Sequence, residues 1–196
     1  MRAFVPSIHS FDYPVYNGLY QINSETMSSI TIATLPRMSR EALSSLLLSA
    51  GTANTIAIVD VRDTGTFQRP IPSPYIPRYP SSFRFEVRLT RNADHVGGHI
   101  SGSTWVPSSS LDYRMPELVR TLQDKEKVVF HCALSQQRGP SAALRYARER
   151  AGALGDNANP EQQVYVLDGG FVRWQEKFGR DERLTQAYAE DIWRDY

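Results

Sequence analysis

The sequence predicts an α/β domain with a central, mainly parallel sheet flanked by helices, and three observations carry that expectation. Short apolar runs, Ile56-Ala57-Ile58-Val59-Asp60-Val61, Val128-Val129-Phe130 and Val164-Tyr165-Val166-Leu167, read as strands buried on both faces. Before and between them, apolar residues fall at helical spacing, at Ala42, Leu43, Leu46, Leu47 and Ala50 and again at Leu111, Leu118, Val119 and Leu122. Strands alternating with helices favour parallel pairing, because parallel neighbours need a crossover connection.

At 196 residues the chain is long enough for one domain with its own core. Residues 1–38 are rich in Ser, Thr, Tyr and Pro and read as a loosely structured arm with one short strand over 29–32; Met27 is a candidate alternative initiator. Ser39 is an N-cap for the first helix and Gly51 its stop. Gly97-Gly98-His99-Ile100 leads into a short strand over 103–107. The strand at Val128-Val129-Phe130 runs directly into a loop at Cys132, and Pro140 fits the first turn of the helix that follows. That helix continues through Ala142, Ala143, Tyr146 and Ala147 to about Arg150, and a turn-rich link over 152–160 leads to the last strand. Gly169-Gly170 then opens a helix at Phe171-Val172-Arg173-Trp174, and 179–196 reads as a C-terminal helical extension. In that extension Tyr188, Trp193 and Tyr196 read as packing onto the sheet in preference to docking a partner.

Composition excludes several functions. Hydrophobic residues at 41% and charged residues at 22% are ordinary for a soluble globular protein. A formal net charge of +1 gives no footing for a nucleic-acid partner. No apolar run nears the roughly 18 residues that cross a bilayer, so no membrane partner is expected. The N-terminus lacks a basic start followed by an apolar core, which points away from secretion and toward the cytoplasm, with the nucleus as a second setting. One cysteine cannot form an intrachain disulfide or a cysteine-rich zinc site, so the expected setting is reducing and no metal is expected.

A lone cysteine is usually a small buried hydrophobe. Cys132 differs because of its neighbours: an apolar strand before it, Arg138 after five intervening residues, then Gly139 and Pro140 opening a helix. The strand-loop-helix order puts the loop at the carboxyl edge of the sheet, where open α/β sheets bind ligands. Ala133, Leu134, Ser135, Gln136, Gln137 and Gly139 can turn their backbone N–H groups inward as an oxyanion nest. The helix adds its positive dipole end, and both effects favour a thiolate on Cys132. Arg138 brings a planar fork that matches two oxygens of a tetrahedral anion. A nucleophile beneath a bound oxyanion is the layout for displacement at phosphorus or arsenic. Cys132 and Arg138 are therefore the expected catalytic residues. His131 is assigned a supporting, loop-organising hydrogen bond. A general acid is not evident; Asp63, Asp94 and His95 are the best candidates, each read as structural or surface. His99 is assigned to the turn after Gly97-Gly98, and His9 to the solvated arm.

The stretch His131-Cys132-Ala133-Leu134-Ser135-Gln136-Gln137-Arg138-Gly139-Pro140 resembles the active-site loop of the small rhodanese-fold phosphatases and arsenate reductases, relatives of the M-phase inducer phosphatases. Val59-Asp60-Val61-Arg62-Asp63 with Gly97-Gly98-His99-Ile100-Ser101-Gly102-Ser103 resembles the front half of a rhodanese domain, and Val166-Leu167-Asp168-Gly169-Gly170-Phe171-Val172-Arg173-Trp174 its closing segment. The similarity covers about 39–178, the expected rhodanese-like catalytic domain. It implies a cysteine-dependent phosphatase of tyrosine or dual-specificity type, an arsenate reductase, or both, acting on a phosphorylated protein or a small phosphate or arsenate. It implies no bound cofactor; glutathione and glutaredoxin would serve as external reductants for arsenate, since the chain holds no second thiol. The alternatives are a thiosulfate-type sulfurtransferase, whose loop is typically shorter in this fold, and a non-catalytic rhodanese-type binding module, which often lacks the cysteine. Plant members are associated with zinc through extra cysteines that this chain does not have.

Residues 65–93 interrupt that pattern with a proline-crowded stretch, from Gly65 through Pro70, Pro72, Pro74, Pro77 and Pro80, that has no core periodicity. It reads either as a docking or regulatory loop of polyproline character or as a retained intron. Codons for Gly65-Thr66 can hold a splice donor, those for Leu89-Thr90 a branch point and those for Ala93-Asp94 an acceptor. Joining Thr64 to Asp94 restores a pattern like the uninterrupted family sequence.

Overall fold

Side chains on a strand alternate between faces, so each apolar run supplies two cores at once. The computed structural model describes residues 30–49, 51, 54–63, 96–155, 159 and 161–194. Most of the arm over 1–38, with His9 and Met27, lies outside the described residues, as do the insertion at 65–93, Asp94, His95 and Tyr196. In chain order the strands are β1 (Arg37–Met38), β2 (Ile56–Asp60), β3 (His99–Ile100), β4 (Thr104–Trp105), β5 (Lys127–His131), β6 (Gln163–Leu167) and β7 (Thr185–Gln186). Five of them form a sheet in the order β1-β6-β5-β2-β4 with every neighbouring pair parallel. The expected central parallel sheet is therefore present, with β5 in its middle.

The helices are α1 (Arg40–Leu48), α2 (Leu111–Thr121), α3 (Arg138–Leu154), α4 (Gly170–Phe178) and α5 (Glu190–Trp193). Val59, Val128, Phe130 and Val166 face Met115 and Leu118 of α2 and Ala143 and Tyr146 of α3. Ile58, Val129 and Leu167 face Leu43 of α1, Phe171 and Trp174 of α4 and Trp193 of α5. The result is three layers, with α2 and α3 on one side of the sheet and α1, α4 and α5 on the other. Ser39 caps α1 by accepting a 3.1 Å bond from the Ala42 N–H. Pro140 sits in the first turn of α3, where its missing N–H removes no helical bond.

Three elements differ from the expectation. The short strand over 29–32 is not formed in its described part: Thr31–Thr34 is a turn, closed by Thr34 N–H to the Thr31 carbonyl at 3.1 Å and Thr31 N–H to Thr34 Oγ1 at 2.9 Å. The threonine hydroxyl satisfies the backbone locally and so competes with a ladder. The strand forms later, as β1, in register with Val166 and Leu167. Beyond Phe178 the chain adds β7, antiparallel to β3, and only a single helical turn, α5. That turn seats Trp193 in the second core, where its indole Nε1–H donates to the Gly97 carbonyl at 2.7 Å.

Candidate active site

Register places the carboxyl ends of β2 and β5 side by side, with Asp60 opposite His131, so both strands deliver polar groups to one edge of the sheet. The chain leaves β5 at Cys132, which is buried, and enters α3 six residues later at Arg138. The turn between them is closed by two reciprocal contacts. The Ser135 N–H points at Cys132 Sγ at 3.3 Å, and the Cys132 N–H donates to Ser135 Oγ at 3.4 Å. Ser135 reaches this geometry with φ of +51°, in the left-handed region that non-glycine residues rarely occupy. Its side chain is fully buried, and Arg37 Nη1 donates to its carbonyl at 3.3 Å.

Two helix starts clamp the loop. At Gly139 an added Cβ would stand 3.3 Å from Cys132 N and from Ser135 Oγ, so a side chain there would press on the loop. At the head of α4, Phe171 N–H donates to the Cys132 carbonyl at 3.0 Å and Val172 N–H to that of Ala133 at 2.9 Å. These are N–H groups that a helix leaves without internal partners. The carbonyls of Cys132 and Ala133 are thus tied to α4, and the Ser135 N–H faces the sulfur. Leu134 is exposed, whereas Ala133 is buried against the second core.

Beneath the loop lies a buried polar network. His131 is fully buried, with Nδ1 3.4 Å from the Cys132 carbonyl and 3.8 Å from Asp60 Oδ1. Arg62 grips Asp60 through Nε at 3.0 and 2.8 Å and Nη2 at 2.5 Å. The same guanidinium donates to the Gly98 carbonyl at 2.7 Å and to that of Val96 at 3.4 Å, and lies 4.2 Å over the Phe171 ring. A buried ion pair is tolerated when such extra bonds satisfy both partners. The two motifs Val59-Asp60-Val61-Arg62-Asp63 and Gly97-Gly98 therefore meet here as a support for the loop.

Arg138 lies at the loop's other rim. Its Nη1 donates to Asp63 Oδ2 at 3.0 Å. Asp63 also accepts from Ser108 Oγ at 2.5 Å and from the Ser109 N–H at 3.2 Å. Burial pushes the Asp63 carboxyl up, but the bonds from Ser108, Ser109 and Arg138 outweigh it and hold the group below the usual carboxylate range. Gln137 caps α3 by backbone alone, and Gln136 faces a pocket of about 570 Å³ beside the loop. Arg40, Glu41, Leu134, Asp168 and Arg173 line the same pocket. His99 reaches across to β7, with Nε2 3.1 Å from Gln186 Oε1, so it belongs to the small sheet.

Sequence reasoning singled out the Cys132 to Gly139 loop and its flanking His131, and the structure brings these together. It did not find the Ser135 turn, the Arg37 contact or the Asp63–Arg138 pair. The first had no signal, because serine does not announce a positive φ. Among the described residues no group of three or more His, Cys, Asp or Glu could hold a metal ion, and no helix is long and apolar enough to cross a membrane.

The sequence pattern of the rhodanese-like domain matches residues 42–177. The chain belongs to the rhodanese-like domain family. Within it, the chain is 40% identical over 122 residues to the CDC25-like phosphatase YCH1 of Saccharomyces cerevisiae, covering 56% of this chain and 78% of that protein. It is 42% identical over 93 residues to arsenate reductase 2.2 of Oryza sativa subsp. japonica, covering 47% and 70% of the two chains. Among solved structures, a yeast protein tyrosine phosphatase of the rhodanese family superposes with a TM-score of 0.59 at 28% identity, over 85% of this chain and all of that one. An As-Sb reductase from Leishmania major gives 0.54 at 26% identity, over 76% and 84%. The resemblance expected from the motifs thus holds, and these relatives are named for phosphatase and arsenate chemistry rather than for sulfur transfer.

Proposed function

We propose that this rhodanese-like protein is a cysteine-dependent phosphatase of tyrosine or dual-specificity type, and that the same loop reduces arsenate. The observation that carries the reading is the closed Cys132–Ser135 turn at the head of α3, with Arg138 in that helix's first turn. An oxyanion seated there would meet loop N–H groups, a helix N-terminus and a guanidinium at once. In the phosphatase cycle Cys132 Sγ attacks phosphorus; the P–S bond forms as the bond to the leaving oxygen breaks, and that oxygen takes up a proton. Water then attacks the phosphocysteine, releasing phosphate and restoring the thiolate. With arsenate, Cys132 displaces an arsenate oxygen as water. The electrons that take arsenic to arsenite then come from thiols: an external thiol such as glutathione forms a mixed disulfide with Cys132, and glutaredoxin resolves it. An outside thiol is needed because the chain has one cysteine.

Five residues between Cys132 and Arg138, and relatives named for phosphatase and arsenate chemistry, support this reading over a sulfurtransferase or a binding module. The pocket beside Leu134 and Gln136 has room for residues flanking a phosphorylated side chain, which favours a protein substrate over a small phosphate alone. A catalytic thiol without a partner cysteine suits a reducing cytoplasm or nucleus.

The test is hydrolysis of an aryl phosphate, and reduction of arsenate with glutathione and glutaredoxin, by wild type, Cys132→Ser and Arg138→Ala. Cys132→Ser should abolish both reactions and still bind phosphate. Arg138→Ala should lower kcat/KM by about 10²–10³-fold. Turnover that survives Cys132→Ser would overturn the mechanism.

A further inference from the structure

Asp63 is one of the three candidates for a general acid, and its surroundings give it a different task from proton donation. Its carboxylate is fixed from two sides: Ser108 Oγ bonds Oδ2 at 2.5 Å and the Ser109 N–H bonds Oδ1 at 3.2 Å. Both serines belong to the 3₁₀ turn Ser108–Ser110 that precedes α2, while Asp63 itself follows β2. A carboxylate anchored on two elements is a rigid acceptor. The group it accepts from is Arg138 Nη1, at 3.0 Å, on a third element, α3. That contact engages one end of a guanidinium that carries five N–H groups. Of the two edges that can match two oxygens of a tetrahedral anion, the one formed by Nε and Nη2 is the one that the Nη1 contact with Asp63 does not use.

We propose that Asp63 is a positioning residue that holds the Arg138 guanidinium by its Nη1 end, so that the Nε–Nη2 edge is presented to an oxyanion on the Cys132 loop. The inference rests on the oxyanion-binding reading of that loop. A flexible arginine free at the rim would lose side-chain entropy each time it closed on an anion, and a fixed partner removes much of that loss before binding. The bonds that hold Asp63 ionised also leave it without a proton to give at neutral pH, which separates positioning from general acid catalysis.

Two measurements test this. The first is calorimetric binding of inorganic phosphate to the Cys132→Ser protein, alone and combined with Asp63→Ala, Asp63→Asn or Arg138→Ala. The second is kcat/KM on aryl phosphates of graded leaving-group acidity, with Asp63→Ala and Asp63→Asn in the active protein. Asp63→Ala should weaken phosphate binding about tenfold, the size of one charge-assisted hydrogen bond. Its loss in kcat/KM should be the same for every leaving group. Asp63→Asn, which keeps the shape and a neutral acceptor, should fall in between. With Arg138→Ala already present, Asp63→Ala should add nothing, because the two act as a unit. Phosphate binding that is unchanged or tighter in Asp63→Ala would overturn the proposal, the latter showing that Asp63 competes with the anion. A loss that grows as the leaving group worsens would make Asp63 a proton donor and overturn it equally. A wild type that hydrolyses no aryl phosphate, with phosphate binding still sensitive to Asp63, would remove the phosphatase reading and leave the positioning role standing. No phosphate binding at all would remove both.

Discussion

Gly170 has φ of +60°, and a Cβ built on it would stand 2.4 Å from the Ala133 carbonyl oxygen and 2.5 Å from that of Cys132. The head of α4 can deliver its N–H groups to the loop only because nothing projects there. Gly102 provides a matched control, with φ of +73° and no atom within 4 Å of its missing Cβ. Gly102→Ala should cost only the left-handed backbone penalty, about 1–2 kcal/mol, and leave activity intact. Gly170→Ala carries the same penalty and must also push α4 off the loop, so kcat/KM should fall by at least about tenfold along with Tm. Thermal denaturation and aryl phosphate kinetics on the pair separate the two effects; equal activity in both variants would mean that the clamp on the loop is not needed. Residues of this kind mark the limit of legibility. Cys132 and Arg138 were readable because one short segment carries both. The Asp63–Arg138 contact joins residues 75 apart in the chain, and only the fold brings them together.

Elements were legible in proportion to their length and burial. β2, β5 and β6 are five residues each and largely apolar, so they stood out in the sequence as apolar runs. β1 and β7 are two residues each, too short for any pattern to register, and their pairing follows from the neighbours they meet, whereas the two-residue β4 lies inside the strand expected over 103–107. At the edge of the sheet away from the loop, Gln162, just before β6, ties together α3 and the segment that follows α2. Its Nε2 donates to the Leu122 carbonyl at 2.6 Å and that of Lys125 at 2.7 Å, beyond the end of α2, while its Oε1 accepts from Tyr146 OH of α3 at 3.0 Å. Burial pushes the Tyr146 phenol up to about 12, so it stays a donor at any pH the fold would meet. Gln162→Ala would strand a buried phenol and two carbonyls. The expected loss is about 2–4 kcal/mol in chemical denaturation. Because Gln162 precedes β6 and the loop follows the parallel β5, the two lie at opposite edges, so KM and kcat should hold at temperatures where the variant is folded.

At the scale of the whole molecule the open question is the segment 65–93, and of its two readings, docking loop or retained intron, we propose the intron. Asp63 and Val96 border the interval, and Arg62 already spans it: its guanidinium touches the carbonyls of Val96 and Gly98 while holding Asp60. One arginine side chain therefore bridges from the end of β2 to the start of the Gly97-Gly98 turn. Joining Thr64 to Asp94 would leave five peptide links between Arg62 and Val96, a reach of about 17 Å, which is ample for a gap that one side chain crosses. Shortening the connection on the order of tenfold should lower its closure entropy by about 2 kcal/mol. A protein lacking 65–93 should therefore fold with an equal or higher Tm and keep its aryl phosphate activity, and the mature transcript should lack the stretch. Helices drawn from the described residues cover both sheet faces. A deletion protein that folds yet loses activity on a phosphopeptide, while keeping it on the aryl phosphate, would instead make the proline-rich stretch a docking loop for the substrate.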